Sequence, residues 1–125
     1  MEPLLVQMQE QLTEAAETAM PDRDLTFRAM FGGVCGYVDG RVFASLYDGG
    51  LALKLALADQ PALLALPDAK RLRYEPDAPE SKQYIVVPPD VRADADALAP
   101  WVNKSVAYVM SLTSPKKRAP KEKGA

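Results

Sequence analysis

A chain of 125 residues, 48% hydrophobic and 26% charged, has the length and make-up of one globular domain with a core of its own. It contains no histidine and one cysteine, which excludes the usual general base, the commonest metal ligand and any internal disulfide. The net charge of −2 is unevenly placed: Lys116, Lys117, Arg118, Lys121 and Lys123 against Glu122 give residues 116–125 a charge of +4, leaving −6 for the rest.

No apolar run approaches the roughly 20 residues of a membrane span, and no basic stretch precedes a hydrophobic one at the N-terminus. A cytoplasmic protein without a membrane role is the expectation. An acidic body repels nucleic acid on average, so any such contact is expected to be local and to use the basic tail.

The first element is a helix. Leu5, Met8, Leu12, Ala15 or Ala16, and Ala19 recur at three- and four-residue intervals, while Gln7, Glu10, Glu14 and Glu17 take the other side. Pro3 suits a first turn, and Pro21 with Asp22 ends the segment.

From Asp24 to Ala56 the period is two. Leu25, Phe27 and Ala29 alternate with Thr26 and Arg28; Val42, Ala44 and Leu46 with Phe43, Ser45 and Tyr47; Leu51, Leu53 and Leu55 with Ala52, Lys54 and Ala56. Asp39-Gly40 and Asp48-Gly49-Gly50 suit tight hairpin turns, so the strands form an antiparallel meander of three or four. Asp59 is placed to cap a short helix from Gln60 to about Leu66, bounded by Pro67.

Two more strands are expected, at Lys70 to Glu75 and Gln83 to Val87, around an exposed loop from Pro76 to Lys82. Pro88-Pro89 ends the second. A last helix covers about Asp94 to Leu112, with Leu98, Trp101, Val102, Ser105, Val109 and Leu112 on one face. Pro100 interrupts it, so the ordered helix is expected to begin near Ala99. Residues 114–125 cannot bury enough apolar surface to order alone and are read as a disordered basic tail following a domain of residues 1–113. Together these elements make an α+β domain of two layers, helices covering one face of an antiparallel sheet of five to six strands.

The glycines of Arg28-Ala29-Met30-Phe31-Gly32-Gly33-Val34-Cys35-Gly36-Tyr37 do not make a phosphate loop, because no Gly-Lys-Ser/Thr follows and the flanks read as strands. A bend or bulge is the expectation, with Met30 and Phe31 in the core. Cys35 lacks a partner to lower its pKa and is read as buried packing. Asp90, Asp94 and Asp96 lack the glycine and terminal glutamate of a calcium loop and are read as helix caps and first-turn charges.

That segment, with Phe43-Ala44-Ser45-Leu46, Leu51-Ala52-Leu53-Lys54, Tyr84-Ile85-Val86-Val87-Pro88 and Leu98 through Trp101, resembles the ordered landmarks of the TfoX/Sxy N-terminal domain family from roughly Glu14 to Leu112. The signature positions are Met30, Phe31, Gly32, Gly33, Gly36, Tyr37, Lys54, Pro88 and Trp101. The resemblance implies the order α-β(3)-α-β(2)-α, similar to secretion-chaperone-like and YjbR-like folds. Longer members promote expression of natural-competence genes together with the cyclic-AMP receptor protein and carry a second, C-terminal domain. Here the basic tail stands in that place, and a stand-alone N-terminal-like domain is expected.

Function is therefore expected to be binding rather than catalysis: no enzyme, no cofactor and no metal. The first reading is a regulatory module for a protein partner, either a transcription factor or a second copy. The alternative is a nucleic-acid-binding accessory protein that uses the tail. Arg28 and Lys54 should emerge on the sheet face opposite the core, and Arg28, Arg41, Lys54, Lys116, Lys117, Arg118, Lys121 and Lys123 are the candidate contacts, with Tyr47 and Lys82 as further contributors to a concave face. On the alternative reading, up to five phosphate contacts by the tail give log affinity for duplex DNA a slope against log salt of up to about −4.5, and deleting residues 115–125 abolishes binding. Unchanged binding after that deletion excludes the tail as the contact.

Overall fold

The computed structural model describes residues 3–30, 33–73 and 77–112. Helix α1 (Pro3–Ala19) leads into a four-stranded meander, β1 (Leu25–Met30), β2 (Gly33–Val38), β3 (Arg41–Tyr47) and β4 (Gly50–Lys54). A 3-10 turn (Leu57–Asp59) and α2 (Gln60–Leu64) precede β5 (Lys70–Arg71) and β6 (Tyr84–Val86), and α3 (Pro89–Arg92) and α4 (Ala95–Ser111) follow. All strand pairs are antiparallel, in the order β1-β2-β3-β4-β6-β5. The chain is thus the expected α+β domain, its meander having four strands where the family order has three. β1 and β2 form a hairpin, with Met30 opposite Gly33. Phe31 and Gly32, between them, lie outside the described residues, as do Glu75, Pro76 and the tail.

Helices α1 and α4 pack against each other and against one face of the sheet. The periodicity of α1 translates directly: Leu5, Met8, Leu12, Ala15 and Ala16 are its buried side chains. They meet Val34, Val38, Leu46, Leu51, Leu53 and Ile85 from the strands and Leu98, Val102, Val106 and Val109 from α4. Removing such side chains from water is worth about 1.5–3 kcal/mol each for the larger ones.

The alternation in β3 does not survive intact. Gly36 pairs with Ala44, but Tyr37 pairs with Val42, so Phe43 is one extra residue on β3 with no partner across the ladder. This β-bulge turns Phe43 into the core, fully buried beside Ala44, and shifts the face of every residue upstream of it. Its carbonyl accepts a 3.2 Å hydrogen bond from the buried Ser105 hydroxyl of α4, which ties the bulge to the helix. Opposite the bulge, Gly36 admits α1: a Cβ there would lie 3.4 Å from Leu12 Cδ2 and 3.3 Å from Ala44 Cβ.

Asp39 and Gly40 form the β2–β3 turn with φ of 49° and 83°, the left-handed pair that such a turn requires. The Asp39 carboxylate accepts from the Asp24 backbone N–H at 3.0 Å and from Arg23 at 2.7 Å, and both hold its pKa below the usual carboxylate value.

Three local expectations are corrected. Helix α4 runs unbroken from Ala95 through Pro100: the proline lies on the exposed side near the N-terminus, and Asp94 caps the helix by accepting from the Asp96 N–H at 3.0 Å. Asp59 makes no cap hydrogen bond and instead lies 3.6 Å from Lys104 of α4, while α2 stops at Leu64. β5 (Lys70–Arg71) and β6 (Tyr84–Val86) are shorter than the expected Lys70 to Glu75 and Gln83 to Val87, Tyr74 and Glu75 lying outside the described residues. The reading of Asp90, Asp94 and Asp96 as cap and first-turn charges agrees with their places on α3 and α4.

Truncating Phe43 to Ala is expected to cost about 3–5 kcal/mol in urea unfolding, a large share of the roughly 5–15 kcal/mol typical of a domain. A loss under 1 kcal/mol shows that the bulge does not anchor the core.

Candidate functional site

The sheet has a second face, turned away from α1 and α4, and its two ends differ. Toward β4, β6 and β5 it closes into a small apolar cluster, in which Tyr47, Ala52, Leu72 and Val86 are buried and Tyr84 packs against them. Toward β1 and β2 it is polar and accessible. Thr26 and Arg28 of β1 are exposed there, and they stand opposite Tyr37 and Cys35 of β2 respectively.

Arg28 lies over the Tyr37 ring with its guanidinium carbon 5.6 Å from the centroid, a cation–π contact that holds the long side chain flat along the strand surface. Lys54, at the end of β4 opposite Tyr84, lies on the same face and is half-buried. On this face Arg28 and Lys54 are separated by the width of the intervening strands β2 and β3. β1 is the edge of the sheet, six residues long and free of proline, and among the described residues no strand pairs with its outer side. An uncovered row of backbone donors and acceptors of this length is a template for a further strand.

Arg41 does not belong to this surface. The bulge puts it opposite Val38, on the helix side, where its Nη1 donates to the Val109 carbonyl at 3.3 Å and to that of Leu112 at 2.5 Å. It thus caps the C-terminus of α4, where unsatisfied carbonyls and the helix dipole favour a cation. Cys35 is also corrected: it is half-exposed on the outer face beside Arg28 and does not pack in the core, and partial burial raises its pKa. Of the other expected contributors, Tyr47 belongs to the apolar cluster, Lys82 is exposed in the loop before β6, and Lys116, Lys117, Arg118, Lys121 and Lys123 lie outside the described residues.

The signature positions are mostly architectural. Gly33 opens β2 and Gly36 admits Leu12; Pro88 is buried just before α3, and Trp101 packs half-buried on the core. Met30 ends β1, while Phe31 and Gly32 are not described. Tyr37 and Lys54 of the signature face outward, Tyr37 beneath the Arg28 guanidinium.

Sequence reasoning passed over Gln60. It is buried at the start of α2, donating to the carbonyls of Leu55 at 3.0 Å and Lys82 at 2.8 Å and accepting from Arg71 at 2.8 Å. This satisfied network ties β4, β5 and the loop before β6 together. A glutamine at a helix start carries no signal for such a role.

Thiol labelling of Cys35 should be slow at neutral pH and still be rising with pH at 9.0, the ordinary thiol value, because only the thiolate reacts and burial disfavours it. A rate that levels off below pH 8 contradicts this environment.

No curated protein matches the chain. The model of the TfoX N-terminal domain family matches residues 17–109, from the end of α1 almost to the end of α4 and across the whole sheet. The chain belongs to the TfoX N-terminal domain family.

Proposed function

We propose that this domain is a non-enzymatic regulatory module that works by binding another protein at the β1–β2 end of its outer face. What supports the reading is the Arg28–Tyr37 pair on the outer face, carried by the six-residue edge strand β1 and its neighbour β2, with no strand among the described residues pairing with the outer side of β1. Family membership adds a regulatory context, since longer relatives act on competence-gene expression with the cyclic-AMP receptor protein. The stacked guanidinium is already ordered, so less side-chain entropy is lost when a carboxylate of the partner pairs with it. Main-chain pairing along β1 would give affinity, and Arg28 with Lys54 would select an acidic strip on the partner. Residence in the cytoplasm follows from this role, and among the described residues no helix is long and apolar enough to cross a membrane.

The test is sedimentation velocity of the chain alone and mixed with the cyclic-AMP receptor protein. A self-associated or mixed complex is expected, weakened at least about tenfold by Arg28→Glu, in line with arginines at the centre of interfaces. A strict monomer in both experiments overturns the proposal, and an affinity indifferent to Arg28→Glu moves the interface elsewhere.

A further inference from the structure

A second polar site lies at the other end of the sheet, where the β3–β4 turn, the segment before β5 and helix α3 line a half-open cavity of about 360 Å³. Its wall includes Gly49, Gly50, Asp68, Lys70, Val86 and Arg92. The volume falls within the range of small-molecule sites.

Among the described residues Arg92 finds only a weak partner. Its Nη1 reaches inward to the sulfur of the fully buried Met8 at 3.3 Å, a weak acceptor, and its Nε is shielded from solvent without a hydrogen-bond partner. Among the described residues no carboxylate forms an ion pair with it. Burial disfavours its charged form, yet a guanidinium keeps its proton at any physiological pH. A partly buried, unpaired cation is costly, and the cost falls when an anion is supplied from outside the chain.

The surroundings suit such an anion. Lys70 is an exposed second cation on the same wall and Asp68 a carboxylate, so the described lining carries a net positive charge. Gly50, at φ +135°, keeps the wall open beside the guanidinium: a Cβ there would lie 3.1 Å from Val86 Cγ1 and 3.9 Å from Arg92 Nη1. A larger residue would narrow the space that an oxygen of the ligand would occupy.

We propose that this cavity binds the oxyanion group of a small molecule, a phosphate or a carboxylate, between Arg92 and Lys70. Arg92 supplies a guanidinium charge on the cavity wall, Lys70 an exposed second charge on the same wall, and the turn glycines the room for close approach. The site is separate from the Arg28 surface and independent of the regulatory reading.

The test is a titration of the whole chain with sodium phosphate and, separately, sodium acetate at constant ionic strength, followed by ¹⁵N–¹H spectra of backbone amides and arginine side chains. Saturable shifts are expected at Gly49, Gly50, Lys70 and the Arg92 Nε–H, with phosphate, acetate or both; which of them saturates identifies the class of ligand. Arg92→Lys should weaken binding at least about tenfold and Lys70→Gln by a smaller factor, while Arg28→Gln should leave it unchanged. Lys70 is exposed, so its variant tests the site even where Arg92→Lys perturbs folding. Shifts that grow linearly with both anions, or that centre on Arg28 and Lys54, overturn the proposal, as does saturable binding indifferent to both Arg92→Lys and Lys70→Gln.

Discussion

Between Gly36 and Tyr37 the pairing of β2 with β3 slips by one residue, and much of the molecule depends on that slip. Phe43, left without a partner in the ladder, turns into the core, and its carbonyl receives the buried hydroxyl of Ser105. Because side chains alternate across a strand, one extra residue exchanges the faces of everything before it. Arg41 is thereby delivered to the helix layer, where it closes the carbonyl end of α4. The bulge thus locates α4 twice, once at its middle through Ser105 and once at its end through Arg41.

With α1 and α4 committed to one face, the other face is shaped by what little covers it. Tyr47, Ala52, Leu72 and Val86 shield one another at the β4–β6–β5 end. Among the described residues no such cluster forms over β1 and β2, whose outer residues include Thr26, Arg28, Cys35 and Tyr37. The sheet therefore has one end finished by its own side chains and one end finished by a cation stacked on an aromatic ring. The latter arrangement is stable in water and adaptable to a partner, since a guanidinium over a ring retains free N–H groups at its edge.

Much of this was legible in the residues. The 3.6-residue period of α1, the Asp39-Gly40 turn and the alternation of β4 each lead to the element observed, because each is a local preference that the fold does not oppose. The outward placement of Arg28 and Lys54 followed from the same alternation. Arg41 was misplaced because alternation assumes a regular ladder, and nothing in Arg41-Val42-Phe43-Ala44 announces a bulge. Pro100 suggested a break because proline removes a helical donor, yet α4 carries it in its second turn with the ring on the exposed side and forgoes one backbone hydrogen bond there. Cys35 was read as buried from its apolar neighbours, although in a strand every second residue leaves the core.

Composition, periodicity and turn chemistry by themselves determined the class of the domain, the helical face of α1 and the hairpin turns, since these depend on contacts within a few residues, while the family was carried by the order of short motifs. The tertiary structure alone decided which arginine serves which purpose. Arg28 rests on Tyr37, Arg41 caps α4, Arg71 joins the Gln60 network and Arg92 faces an unanswered cavity. All four are the same residue in the sequence. What separates them is the set of carbonyls, rings and empty space brought to each guanidinium by segments distant in the chain, and those distances are closed only when the sheet and helices pack.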